Sequence, residues 1–220
     1  MPNFGFSAFL KLLSLSPRRQ RSELRARLSP SGNGYDFHKA FRRLAHRYLG
    51  GGGDIAQLLL EAGGFTNPAE ARSGVAALEY LEDWRKQSPG ELFSLGSRTF
   101  ESTAGRFKVN YTPDFGITLG GVRVAVHIWN TRSTDLDARM AYAALTLFRD
   151  LYGDEVGGAP DLAVLSVPDD RLYRLSDVPD QAVLAGRMVD ALDALIEEIG
   201  EENRRPSPQP PPGSDQPARR

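Results

Sequence analysis

The apolar positions of the chain repeat with two different periods, and the change falls near residue 90. In YDFHKAFRRLAHRYL, Phe37, Phe41, Leu44 and Tyr48 recur at spacings of four, three and four. That is the stripe an α-helix presents to a core. His38, Lys39, Arg42, Arg43, His46 and Arg47 occupy the other side, a solvent face first and a phosphate-contacting face second. Helical spacing continues through Val75, Leu78, Leu81 and Trp84. From Arg98 to Asn130 the alternation is two, which predicts strands, with Phe107, Val109 and Tyr111 on one side of one of them.

Punctuation residues bound these elements. Ser16-Pro17 starts a helix, because serine caps free amides and proline fits the first turn. Ser29-Pro30-Ser31-Gly32-Asn33-Gly34 breaks it, and the glycines at 50–53 end the next one. Asp54 can cap the short IAQLLLEA, and Asn67-Pro68-Ala69-Glu70 has the capping pattern of a longer helix that Ser88-Pro89-Gly90 stops. Ala104-Gly105 predicts a turn before Phe107. Asp135 to Tyr152 reads as one helix ended by Gly153, and Leu162 to Val167 as a buried strand. Pro168-Asp169-Asp170 turns into a return strand through Leu172 and Leu175, and a last helix covers about Asp180 to Ile199. The opening MPNFGFSAFLKLLSLS lacks leading basic residues and is interrupted by Lys11, so it reads as an amphipathic helix rather than a secretory signal. The expected organisation is a helical, basic region over 1–90, an α/β domain over 91–202, and a disordered tail over 203–220, where RRPSPQPPPGSDQPARR has almost nothing apolar to bury.

Composition narrows the chemistry. With 220 residues, 40% hydrophobic and 25% charged, the chain can bury a real core. No apolar run approaches the roughly 18 residues of a membrane span, so a cytoplasmic protein without a membrane partner is expected. The absence of cysteine excludes disulfides, thiolate zinc sites and cysteine nucleophiles, and three histidines leave little for an all-histidine metal site. The net charge of −1 hides an asymmetry: before Gly50 ten Lys/Arg face Glu23 and Asp36, giving +8, so the remainder carries −9. Arg18, Arg19, Arg42, Arg43 and Arg47 are the candidate nucleic-acid contacts on this basic end. The competing reading pairs the basic helices with the acidic stretch 177–202, whose one base is Arg187.

The hairpin around Gly120-Gly121 places chemistry on one face. Primed two-residue turns need positive φ, which glycine supplies. With those two as the turn, Leu119 pairs with Val122, Thr118 with Arg123, Gly116 with Ala125 and Asp114 with His127. One face then carries Phe115, Ile117, Leu119, Val122, Val124, Val126 and Ile128, a core face. The other carries Asp114, Gly116, Thr118, Arg123, Ala125, His127 and Trp129.

Pro113-Asp114, the hairpin, and the helix and strand that follow resemble the PD-(D/E)xK phosphodiesterase superfamily over about residues 98–175. The resemblance implies a nuclease-like mixed sheet with flanking helices. It also implies that Asp114 is the first metal-binding acid, that His127 stands where the second acid belongs, and that Trp129 stands where the lysine belongs. In the exonuclease branch the next helix carries a Gln and a Tyr one turn apart, where this chain has Met140 and Ala144. Imidazole for carboxylate removes a hard oxygen ligand that magnesium prefers, although manganese or zinc accepts nitrogen. Tryptophan cannot supply the lysine's charge, but it can stack on a base or pack under a helix. The ordinary alternative for Asp114 and His127 is a mutually satisfied pair across the strands.

Other chemistries find less support. Gly50-Gly51-Gly52-Gly53-Asp54 lacks the Lys-Ser/Thr of a P-loop, and no serine stands in a nucleophile-elbow context. Glu79, Glu82 and Glu101 are acids without a spacing argument that brings them to a metal. The reading that results is a nuclease-like scaffold that has lost hydrolysis and binds nucleic acid or a partner protein in a DNA-handling or defence assembly, with no cofactor. The alternatives are an active nuclease using Asp114 and His127 around a divalent metal ion, and a protein–protein adaptor.

Overall fold

The computed structural model describes residues 1–28, 38–153 and 158–204. It is a mixed α/β structure with eight α-helices and two sheets among those residues. The larger sheet has five strands in the order β2 (Leu92–Phe93), β5 (Phe115–Leu119), β6 (Val122–Trp129), β7 (Asp161–Ser166) and β8 (Arg171–Arg174). Only β6 and β7 run parallel. The smaller sheet is β1 (Asn3–Gly5), β4 (Lys108–Tyr111) and β3 (Arg98–Glu101), with β1 parallel to β4.

Alternation along β6 sends side chains into two cores. Val124, Val126 and Ile128 join Ile117 and Phe115 beneath α3 (Lys39–Gly51), α4 (Ile55–Gly63) and α5 (Pro68–Gln87). Ala125 and Trp129 join the opposite core with α1 (Phe6–Leu13), α6 (Ala138–Thr146), α8 (Ala182–Arg204) and the smaller sheet. The central sheet is therefore covered by helices on both faces, which explains why β7 is buried at every position. The hairpin register is the one expected from sequence, and Gly120 and Gly121 have φ of 57° and 82°. Gly116 is small because Phe93 lies over it: a Cβ there would come within 2.3 Å of the ring, which also carries the Arg123 guanidinium 3.6 Å from its centroid.

Local capping follows the sequence. Asp54 accepts from Ala56 N, Asn67 from Ala69 N, and α2 (Pro17–Leu28) begins on its proline. Four features differ from expectation. The opening segment is not helical throughout, because Asn3–Gly5 pairs with Lys108–Asn110 before α1 begins. β2, of two residues, extends the sheet edge. The helix expected over 135–152 is two, α6 and α7 (Arg149–Gly153), and it starts at the Asp137 cap, whose carboxylate accepts from Arg139 N and Met140 N. The last helix starts at Ala182 and runs on to Arg204. The break at 29–34, Phe37 and the expected tail beyond Arg204 lie outside the described residues. The change of period near residue 90 is real, but packing crosses it: each core contains residues from both sides of it. No described helix is long and apolar enough to cross a membrane.

Part of the charge asymmetry is internal. Arg21 donates to both oxygens of Glu198 at 2.8 and 2.9 Å, and Arg21 and Arg25 both reach Glu202, tying α2 to α8. Hydrogen bonds from Arg21 hold the Glu198 carboxyl below the ordinary range, and bonds from Arg25 and then Arg21 do the same for Glu202. A lowered carboxylate pKa contributes stability that is present above the ordinary glutamate range and fades as the pH falls through the lowered folded-state values. All four groups face solvent, so the effect is expected to be small and weakened by salt. Melting temperature followed downward through the glutamate range should fall less for Glu198→Gln/Glu202→Gln than for wild type.

Candidate functional site

Strand β4 organises the site. On one side it pairs with β1, setting Gly5 opposite Asn110, and the chain then turns into α1 with Ser7 in its first turn. At its end β4 runs through Thr112-Pro113 into Asp114, just before β5. The third group, His127, comes from β6 one rung beyond the Phe115–Val126 pair. Residues 120 apart in sequence thereby meet: Ser7 Oγ lies 2.7 Å from His127 Nε2, and His127 Nδ1 lies 3.0 Å from Asp114 Oδ2. The second approach is close but off line, so Nδ1 is left without a hydrogen-bond partner, while Asp114 Oδ2 accepts from Ile128 N at 2.7 Å.

The three groups differ in access. Asp114 and His127 are 9% and 4% exposed, and Ser7 is partly buried at the cleft wall. Phe6 stands edge-on to the imidazole at 5.2 Å between centroids and fixes its plane from one side. Tyr111 lies beneath at 6.2 Å, its hydroxyl donating to Ala125 O at 3.1 Å. Burial pushes that phenol well above its ordinary pKa, so it stays a neutral donor.

These residues sit at the floor of a cleft of about 1410 Å³. Lys11 from α1, Arg27 from α2, Arg42 and Arg43 from α3, Arg72 from α5 and Arg132 from the segment after β6 all line it. Among the described lining residues Asp114 is the one acid, and Lys11 and Arg27 both reach Glu23, which does not line the cleft. No salt bridge among the described residues involves Arg43, Arg72 or Arg132. Asn130 also lines the cleft; it is 5% exposed and its Oδ1 has no partner.

Of the residues singled out from sequence, Asp114, His127, Arg42 and Arg43 meet at this cleft. Arg47 turns away to Glu61, whose carboxyl it holds below the ordinary range through hydrogen bonds. Arg18 and Arg19 are exposed on α2 and do not line the cleft. Trp129 is 1% exposed within the core, and no face of its indole is open to a base. Its burial takes it out of the candidate interface. Glu82 and Glu101 are paired with Lys86 and Lys108, and neither they nor Glu79 line the cleft.

The donor set does not fit the metal that a nuclease of the resembled kind would hold. Asp114 Oδ2 already serves Ile128 N, His127 Nε2 meets Ser7, and the described residues contain no cluster of three His, Asp or Glu side chains placed to bind an ion. Sequence reasoning missed Ser7, Lys11, Arg27, Arg72 and Arg132. Ser7 carried one weak signal, the Gly5-Phe6 that precedes it, and a strand of three residues is too short to announce a strand–helix junction. No protein-family model matches the chain, and no curated protein matches it.

Proposed function

We propose that the protein binds nucleic acid in the basic cleft, on a nuclease-like scaffold that has lost metal-dependent hydrolysis. The observation that carries the reading is the convergence of Arg43, Arg72 and Arg132, which come from three separate segments and enter no described salt bridge, on a cleft that Lys11, Arg27 and Arg42 also line, Lys11 and Arg27 sharing Glu23. Solvated charge on one helix face needs no partner, but cations drawn together from several elements repel one another and are relieved by a polyanion. Residues 98–175 keep the element order of the PD-(D/E)xK resemblance: hairpin, helix, then a strand parallel to the second hairpin strand. The loss of hydrolysis is supported by His127 at the second acid's place and by the buried Trp129 at the lysine's place. Removal of an electrostatic group of that kind commonly costs about 100- to 1000-fold in rate.

The test is fluorescence anisotropy with a labelled oligonucleotide, single- and double-stranded, across a salt series. Binding should weaken linearly in log–log form, with a slope of about 0.9 per duplex phosphate contacted. With magnesium or manganese added, the oligonucleotide should remain uncut. Absence of binding at low salt would contradict the reading, and cleavage lost in Asp114→Asn would replace it with the active-nuclease alternative.

A further inference from the structure

From the geometry of Ser7, His127 and Asp114 we infer a nucleophilic acyl-transfer site at the floor of the cleft, acting on a carboxylic ester that also carries phosphate. Ser7 is the nucleophile, His127 the general base and Asp114 the positioning residue behind it. The phosphate-bearing part of the substrate class rests on the cleft reading above, whereas the nucleophile rests on the three side chains alone.

A serine hydroxyl is a weak nucleophile until a base takes its proton. Ser7 Oγ already lies 2.7 Å from His127 Nε2, within the range that proton transfer requires. With the imidazole proton on Nδ1, toward Asp114 Oδ2 at 3.0 Å, Nε2 is free to accept from Ser7. The misalignment of that second contact is of the kind that closes when substrate binds. Ser7 also stands in the first turn of the eight-residue α1, whose N-cap Gly5 offers no side-chain cap. The first-turn amides of a helix lack intrahelical partners and favour negative charge, which is what an oxyanion beside Ser7 needs. Gly5, Phe6 and Ala8 line the cleft with Ser7, so these amides border the space a substrate enters. The buried, unpartnered Oδ1 of Asn130 in the same wall would accept a donor from the bound substrate.

In the reaction, Ser7 Oγ attacks the ester carbon as its proton passes to Nε2. The ester C–O bond then breaks, and the alcohol leaves with that proton. Water, deprotonated by His127, splits the acyl-Ser7 ester, restoring serine and releasing the carboxylic acid. One ester and one water give one acid and one alcohol, with no metal and no redox partner. The cations above the floor select esters that carry phosphate.

The first arm incubates the full chain with a fluorophosphonate, which phosphonylates Ser7 as fluoride leaves, and reads the adduct by intact mass and peptide mapping. Wild type is expected to label at Ser7. Ser7→Ala, which suits a helix at least as well as serine, should lose the adduct while keeping its circular dichroism spectrum. His127→Gln should label roughly 100-fold more slowly or worse. Asp114→Asn keeps an oxygen for Ile128 N, so it should lower the maximal labelling rate while leaving the half-saturating probe concentration unchanged, a split that loss of structure would not give. No adduct on folded wild type, or an adduct that persists in Ser7→Ala, overturns the nucleophile. The second arm compares hydrolysis of an acetyl ester of a nucleotide with the same ester of the nucleoside. Faster turnover of the nucleotide ester supports the substrate class, and equal rates overturn it. Labelling of Ser7 in a protein that binds no oligonucleotide would sink the cleft reading alone.

Discussion

Trp129→Lys is expected to unfold the protein at neutral pH, although lysine is the residue that the PD-(D/E)xK resemblance implies at this place. Trp129 is 1% exposed and packs in the core shared by α1, α6, α8 and the sheet. Deleting a buried aromatic costs about 3–5 kcal/mol through lost burial and the cavity left behind. A lysine adds the desolvation of an ammonium in the same core. The sum approaches the ~5–15 kcal/mol by which a whole domain is stable. Trp129→Phe keeps most of the apolar volume and should remain folded, with a lower melting temperature. A folded Trp129→Lys protein in thermal or urea unfolding would show that the indole is not where the structure has it. His127→Glu together with Trp129→Lys, the residues that the PD-(D/E)xK resemblance implies at these places, is therefore also expected to unfold the protein.

Asp161→Ala should cost up to about 3–5 kcal/mol, the range for removing one partner of a buried ion pair, because Asp161 is buried whereas the Arg174 side chain keeps 24% exposure. Asp161 is 3% exposed at the start of β7. One oxygen accepts from Leu162 N and Ser176 N at 2.9 and 3.1 Å, and the other from Arg174 Nε and Ser176 Oγ at 2.9 and 2.7 Å. Arg174 Nη2 lies 2.8 Å from the same second oxygen. Alanine would strand the guanidinium, a backbone amide in the sheet and the turn that closes β8. An asparagine side chain at this position would retain one acceptor, so Asp161→Asn is expected to fall between alanine and wild type in urea unfolding. Equal loss in both variants would indicate that the charge matters and the acceptor geometry does not.

What could be read in advance from the chain had local causes. The hairpin register followed from two glycines and a period of two, and the helix starts from Asp54 and Asn67 capping their own first turns. What could not be read depends on partners far away. β1 and β2 are three and two residues long, too short to show any alternation, and exist because β4 and β5 offer them edges. The helix over 135–152 breaks before Arg149 with no glycine or proline to mark it. In the site, Asp114 and His127 were legible because one hairpin carries both. Ser7 was not, since only the β1–β4 pairing brings it to a histidine 120 residues away. The cations divided in the same way: a run of arginines predicted a basic end, but tertiary packing sent Arg21 and Arg25 to α8, Arg47 to Glu61, and only some of the rest to the cleft.

That division makes the central claim testable by comparing arginines. The affinity of one labelled oligonucleotide is measured for Arg43→Gln/Arg72→Gln/Arg132→Gln, which empties part of the cleft of charge, and for Arg18→Gln/Arg19→Gln/Arg47→Gln, which removes as much charge elsewhere. The cleft variant should bind roughly tenfold more weakly or worse, with a salt slope shallower by about 0.9 for each duplex phosphate it no longer neutralises. The second variant should stay close to wild type. Equal losses in the two, or a larger loss in the second, would contradict binding in the cleft.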